Sequence, residues 1–307
     1  KVEDIVVGRL LEALEMGVVP WHKPWKIDNA PRNGQSERPY RGLNPFILSL
    51  VGQLRGYEDQ RWLTLGQIRK AGGSVLDGEF KKSVPVVFWK WLDVPVKDED
   101  RNRPGVTKDE NGNGTKRIPL LRFYNVWNVA QTEGVQLKPL PEPREINPIP
   151  AAQAVVDRYI SEGGPRLHVG GDRAAYAPLL DQIVMPQQRH FKDDQAYFAT
   201  LFHEMTHSTG HHSRLGRFGQ DMVIPHFGTQ DYSKEELVAE LGSAMLCAHA
   251  GIDQVSQIEA SAAYCNHWLG VLREEPKFLI NAAAQAQRAV DHILDQKPGD
   301  DSAGDDA

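Results

Sequence analysis

Between Lys138 and Pro150, five prolines (Pro139, Pro141, Pro143, Pro148 and Pro150) fall within thirteen residues that hold little else apolar. Proline fixes φ, lacks an N–H and pushes the residue before it out of the helical region, so neither a long helix nor a central strand runs through such a stretch. It reads as a semi-rigid extended spacer, and the chain must organise on either side of it. The expected division is a domain over 1–138, a Pro-rich linker over 139–150 and a second domain over 151–295. An acidic, small-residue tail over 296–307 reads as disordered. A length of 307 residues fits two domains, because single cores rarely grow past about 250–300 residues.

Composition separates the same two parts. The net charge of −6 is the sum of +4 over residues 1–145 and −10 over residues 146–307. Six of the seven tryptophans lie in the first part and ten of the eleven histidines in the second. A hydrophobic fraction of 40% with 25% charged residues is that of an ordinary globular chain and excludes disordered, collagen-like and repeat classes. No apolar run approaches the roughly 18–20 residues of a membrane span. The opening Lys-Val-Glu-Asp-Ile mixes acids with helix-spaced apolar residues, unlike a signal peptide. The only cysteines, Cys247 and Cys265, read as buried helix residues, which excludes a disulfide framework and makes a reducing, cytoplasmic setting the expectation.

The first part reads as α+β. Val2, Ile5, Val6, Leu10, Ala13 and Leu14 keep helical spacing, with Gly17 as a candidate C-terminal cap. Asn44-Pro45 predicts a helix start with Asn44 as N-cap, and Thr64 with Gln67 a capping box. Val84–Trp91 and Ile118–Trp127 are β-branched and aromatic and predict strands joined by a flexible polar loop over 93–117. In the second part a helix is expected over 151–162, with short strands near 167–169 and 181–185. The latter is either an ordinary paired strand or an edge along which a peptide substrate adds. From Asp193 onward the period is helical, with Asp193 or Asp194 as cap.

His203-Glu204-Met205-Thr206-His207 is the sharpest motif. Histidines at i and i+4 share a helix face, so both imidazoles reach one cation at about 2.0–2.1 Å. Glu204 beside them is placed as general base for a water acidified by that cation. A third histidine at the spacing of His-Glu-x-x-His-x-x-Gly-x-x-His fails: Gly210 is in place, but Ser213 stands at the last position and His211 and His212 come early. A carboxylate from a later helix is the alternative. Ser233 and Glu236 read as a capping box, which gives Glu236 a structural task and leaves Glu240, on the apolar face of Leu237, Leu241 and Ala244, as the predicted ligand. Asp231 is a further candidate. Tyr232, Tyr264 and His267 stand open as groups that polarise a scissile carbonyl, and His168, His190, His226, His249 and His292 read as structural or solvated. Zinc is the expected ion, with manganese as the alternative.

The first part carries aromatics beside cations in segments without a period. Single-stranded nucleic acid is held by rings that stack on bases and by cations on phosphates. Trp21 and Trp25, Arg32, Arg38, Tyr40 and Arg41, Trp62, and Lys81 and Lys82 have that composition. Trp89, Trp91 and Trp127, on strands, read as core.

Pro20-Trp21 through Pro24-Trp25, Pro31-Arg32-Asn33, Tyr40 through Asn44, Arg61 through Thr64 and Val86 through Lys90 resemble the single-stranded-DNA-binding domain of ArdC-type antirestriction proteins, a domain also found at the front of some plasmid primases. Gly170 through Arg173, His203 through His207, Thr209-Gly210-His211 and Glu235 through Ser243 are similar to the zincin-like metallopeptidase domain of that family. The resemblance covers nearly the whole chain apart from 93–117 and the tail. It implies an α+β chain of two domains, plasmid- or phage-associated, that shields incoming single-stranded DNA from restriction. It also implies His203 and His207 as ligands, Glu204 as general base and the carboxylate near Glu240 as third ligand. A DNA-dependent protease and a DNA shield with a silent metal site are the rival readings.

Overall fold

The computed structural model describes residues 2–16, 18–21, 30–96, 106–108, 114–140, 147–219, 230–252 and 262–296. The first half is built on one long hairpin, in which β4 (Val84–Pro95) and β6 (Gly114–Asn128) pair antiparallel from Val84↔Val126 to Pro95↔Thr115. β5 (Val106–Lys108) pairs with the start of β6. Residues 93–95, 106–108 and 114–117, within the span read as a flexible loop over 93–117, are therefore strand. Composition hid them because a polar ribbon such as half-buried Thr115 and exposed Lys116 satisfies its backbone across the hairpin without an apolar pattern. β2 (Arg61–Thr64) pairs with the other edge of β6, and β1 (Arg32–Asn33) runs parallel to β2, which gives the order β1-β2-β6-β4.

Among the described residues three α-helices accompany this sheet: α1 (Val2–Glu15), α2 (Asn44–Arg55) and α3 (Leu65–Lys70). Thr64 and Gln67 form the expected reciprocal capping box. Asn44 is not a cap. Its amide accepts from Val87 N at 2.8 Å and donates to Val87 O at 2.7 Å, standing in for a strand backbone and pinning α2 to β4. Leu43 holds the cap position instead. β3 (Ser74–Val75) and β7 (Thr132–Glu133) form a small separate ribbon.

In the second half α4 (Pro148–Ser161) begins inside the predicted linker. Pro148 and Pro150 occupy its first turn, where a missing N–H leaves no hydrogen bond unmade. β8 (Arg166–Val169), β9 (Ala175–Ala177) and β10 (Gln182–Met185) form a sheet in the order β8-β10-β9. β10 has a parallel neighbour on one side and an antiparallel one on the other, so it is a paired central strand and not an open edge. Among the described residues four helices follow: α5 (Asp194–Ser208), α6 (Gln230–Ala250), α7 (Ala262–Glu274) and α8 (Lys277–Ile293). Asp193 caps α5 by accepting from Ala196 N at 2.8 Å. Among the described residues no helix is long and apolar enough to cross a membrane.

The halves share a core. Leu10, Trp21, Phe46 and Trp62 belong to the same buried cluster as Phe202, Leu241, Trp268 and Leu279. α1 lies against α7. Polar bonds accompany this contact: Arg41 pairs with Asp291, Gly42 N donates to Gln287 Oε1 at 3.1 Å, and Arg273 pairs with Glu15. Gly17, residues 141–146 of the linker and the tail from 297 lie outside the described residues.

Candidate metal centre

α5 and α6 run close because α6 presents a glycine where they meet. A Cβ on Gly242 would lie 2.5 Å from Thr206 Cγ2, and Ser243 Oγ donates to Ala199 O at 2.8 Å. That approach brings the first turns of α6 against His203 and His207. The two Nε2 atoms are 3.1 Å apart. Two imidazole nitrogens on a shared ion are separated by about 2.9 Å at a right angle and about 3.3 Å at a tetrahedral one. Glu236 closes the group, with Oε2 at 3.6 Å from His203 Nε2 and Oε1 at 3.5 Å from His207 Nε2. Among the described residues, these three offer ligand atoms that all lie within 4.8 Å of one another.

A second carboxylate stands behind the first. Glu235 accepts at 3.2 Å from His207 Nδ1, which fixes the ring so that Nε2 faces the cluster. Glu235 is held in turn by Arg217, whose Nε and Nη2 donate to its two oxygens at 3.0 and 2.6 Å. The same guanidinium donates to Thr209 Oγ1 and to Thr206 O, so it ties the end of α5 to α6. Gly210 allows the chain to turn back after α5, since a Cβ there would lie 2.6 Å from the Phe218 ring.

The electrostatics want positive charge. Burial pushes the His207 imidazole down, but the hydrogen bonds to Glu235 and Glu236 and the charges of Glu235 and Glu204 outweigh it and lift it to about 10. Burial pushes Glu236 up, and His203 and His207 hold it well below the usual carboxylate range. Glu235 is likewise held down, against burial, by His207 and Arg217. Two acids that draw a proton onto a buried imidazole form a site suited to a divalent cation, and the donor set of two imidazoles and one carboxylate fits that ion.

The structure thus brings His203 and His207 together, with Glu204 buried on the same helix, and the carboxylate beside the two rings is Glu236, where the sequence pointed to Glu240. Glu240 is outside the cluster, and its Oε2 accepts from Trp21 Nε1 at 2.7 Å. Glu236 takes the place because α6 begins at Gln230, earlier than the capping box reading placed it. Ser233 is then interior and Glu236 has no cap to make. His211 is half-buried and bonded to Ser213, and His212 and, on α7, His267 are exposed. The side chains of Asp231, Tyr232 and Tyr264 lie outside the described residues.

The predicted nucleic-acid residues divide. Trp21 is 1% exposed and Trp62 wholly buried, so neither presents a face to a base. Arg41 is committed to Asp291, and Tyr40 packs against the core with its hydroxyl buried. These are corrections with one cause: the segments have no period because they wrap a core formed by both halves. Arg32 is half-buried, whereas Arg38, Lys81 and Lys82 are exposed. Beside the lysines Phe80, 58% exposed, leans on Trp127 with ring centroids 5.6 Å apart. Trp25 lies outside the described residues.

Sequence reasoning also missed an ion cluster beneath the site. Arg214, nearly buried, pairs with Asp181, donates to Ser208 O at 2.8 Å and to Tyr176 Oη at 3.2 Å, and so clamps the segment after α5 to β9 and to the turn before β10.

Comparison with known proteins agrees with this architecture. Residues 154–285 match the family described as zincin-like metallopeptidase, and residues 1–127 match the N-terminal domain of anti-restriction factor ArdC. DNA primase TraC of Escherichia coli is 34% identical over 297 residues, covering 95% of this chain and 20% of the primase. A second TraC of Escherichia coli is covered to 26%, so the chain spans a fifth to a quarter of these primases. The uncharacterized protein y4eC of Sinorhizobium fredii is 31% identical over 298 residues, covering 95% of this chain and 91% of that protein. Crystal structures of the antirestriction protein ArdC from plasmid R388, metal-free and Mn(II)-bound, match with TM-scores of 0.69 and 0.70 at 30% identity. They cover 96% and 99% of this chain, and it covers 99% of each. The chain belongs to the ArdC antirestriction family, with an ArdC-type N-terminal domain followed by a zincin-like domain.

Proposed function

We propose that this protein binds single-stranded DNA through its first half, shields it from restriction, and carries in its second half a metal-dependent peptide hydrolase. The observation that carries the hydrolytic reading is the convergence of His203, His207 and Glu236 on one point, with Glu204 next to His203 on the same helix. His203, His207 and Glu236 would hold the ion, zinc or manganese, and a divalent cation bound there supplies Lewis acidity. Glu204 accepts the proton of the attacking water at its carboxylate and returns it to the leaving amine. Glu235 keeps His207 oriented, and Arg217 keeps Glu235 in place.

The DNA reading is supported by the exposed cations Arg38, Lys81 and Lys82 and the exposed Phe80 ring, on the half of the chain with net positive charge. It also has support in the relatives, an antirestriction protein and DNA primases.

The test is peptide and protein cleavage by the metal-loaded chain with and without single-stranded DNA, beside Glu204→Ala. Cleavage should fall by about 10²–10⁴ in the variant while DNA binding is kept. A wild-type chain that binds metal and DNA, protects DNA and cleaves nothing would replace this reading with a shield whose metal site is silent.

A further inference from the structure

Trp21 and Glu240 are bonded to each other across the two halves, 219 residues apart in sequence. The indole is immobilised: it is 1% exposed and stands edge-on to Trp268 on α7, with ring centroids 6.1 Å apart and planes at 88°. Glu240 lies four residues after Glu236 on α6. It is therefore on the same helix face, one turn along, at about 5–6 Å between Cβ atoms. Two carboxylates of equal charge thus follow one another on one helix face, the first of them beside two converging imidazoles. Glu236 faces both Nε2 atoms, whereas an oxygen of Glu240 is turned to a donor fixed by packing.

The number of protein donors decides what such a centre does. Three leave a coordination position for water and substrate, and four close the sphere as in structural sites. We infer that Trp21 is a positioning residue for the metal centre: its indole N–H holds Glu240 out of the donor set, so that three side-chain atoms face the cation and the remaining positions stay open. The first half thereby completes a site whose ligands all belong to the second. This rests on the reading that His203, His207 and Glu236 hold a divalent cation.

The experiment uses the full chain with Mn(II) as probe. Electron paramagnetic resonance of free Mn(II) measures occupancy, and solvent-water relaxivity reports the water exchanging on the bound ion. An octahedral Mn(II) held by three side-chain atoms keeps about three waters, so capture of Glu240 lowers relaxivity per bound ion by roughly a third. Trp21→Phe, which keeps a ring and removes the N–H, should show that drop with affinity kept or raised. Glu240→Gln alone should leave relaxivity at the wild-type value, and the double variant should return to it. Unchanged relaxivity in Trp21→Phe at full occupancy overturns the inference. So does an equal drop in the double variant, which would trace the effect to the smaller ring. A measurement on the wild-type chain stands independently of how the variants fold: the Trp21 indole proton should stay hydrogen-bonded, shifted downfield and slow to exchange, when Zn(II) is added. Its release on loading would show that Glu240 has moved to the cation and would overturn the inference. Failure of the wild-type chain to bind either ion removes the metal reading and this inference with it.

Discussion

Glu235 touches no open coordination position, yet its carboxylate determines which His207 nitrogen faces the cluster. Because it acts through a ligand, its removal should weaken the centre without dismantling it. Glu235→Gln keeps volume and an acceptor but loses the charge that orients the ring and answers Arg217. Metal affinity is expected to fall by about 10–100-fold, as for other groups that orient a metal-bound imidazole. Glu236→Gln, which removes a ligand charge, should fall further than Glu235→Gln. Titration of the three proteins with Zn(II) or Mn(II) checks the ranking, and equal affinities for Glu236→Gln and wild type would remove Glu236 from the donor set. At this scale His203, Glu204 and His207 were legible because their relation depends only on the helical period. Glu236 was not legible, because choosing among three acidic candidates, Asp231, Glu236 and Glu240, depends on where α6 begins. A capping-box pattern three residues inside a helix is locally identical to one at its start. Arg217 and Trp21 were illegible for a different reason, since their partners lie in other elements.

Gly242 governs the centre from a distance by setting how closely α6 approaches α5. Thr206, opposite it, is buried, short and β-branched, and its Oγ1 donates to Phe202 O at 2.8 Å, so it cannot swing aside. Gly242→Ala should therefore cost roughly 1–3 kcal/mol as overpacking, although alanine is the better helix former. The displacement falls between the helix bearing His203 and His207 and the helix bearing Glu235 and Glu236. Metal affinity should drop along with the metal-free melting temperature, and adding Thr206→Ala should restore both. Stability lost with affinity unchanged would mean that the helix spacing does not set the donor geometry. Elements were legible where one period dominated, as in α5, α4 and the apolar middles of β4 and β6. They were illegible where the chain is polar or very short. The outer reaches of the hairpin read as loop, and β9, with Ala175, Tyr176 and Ala177, is too brief to show alternation. The first turn of α4 tolerates Pro148 and Pro150, so helix begins inside the stretch that proline density reads as linker.

At the scale of the molecule, one buried cluster spans both halves, and this governs how the chain unfolds. Ligands in the second half and tryptophans in the first make the consequence observable. Six of the seven tryptophans precede the linker, so indole fluorescence follows mainly the first half, whereas His203, His207 and Glu236 belong to the second. If the halves unfolded separately, a bound cation would raise only the second transition and leave most of the fluorescence change where it was. Trp21 and Trp62, however, share one cluster with Trp268 and Leu241, and Arg41–Asp291 and Arg273–Glu15 cross the same contact. Separating the halves uncovers that apolar surface in both and breaks those pairs, so unfolding is expected as one cooperative transition. A cation at a hundredfold excess over its dissociation constant stabilises the native state by about 2.7 kcal/mol. With an unfolding entropy of about 2.1 cal/mol/K per residue, that raises the midpoint of a chain this size by about 4 °C. Thermal melts followed by tryptophan fluorescence and by far-ultraviolet circular dichroism should therefore coincide without metal and rise together with it. A fluorescence midpoint that ignores the cation while the dichroism midpoint climbs would show that the first half folds on its own. It would also separate Trp21 energetically from the centre that its indole N–H adjoins.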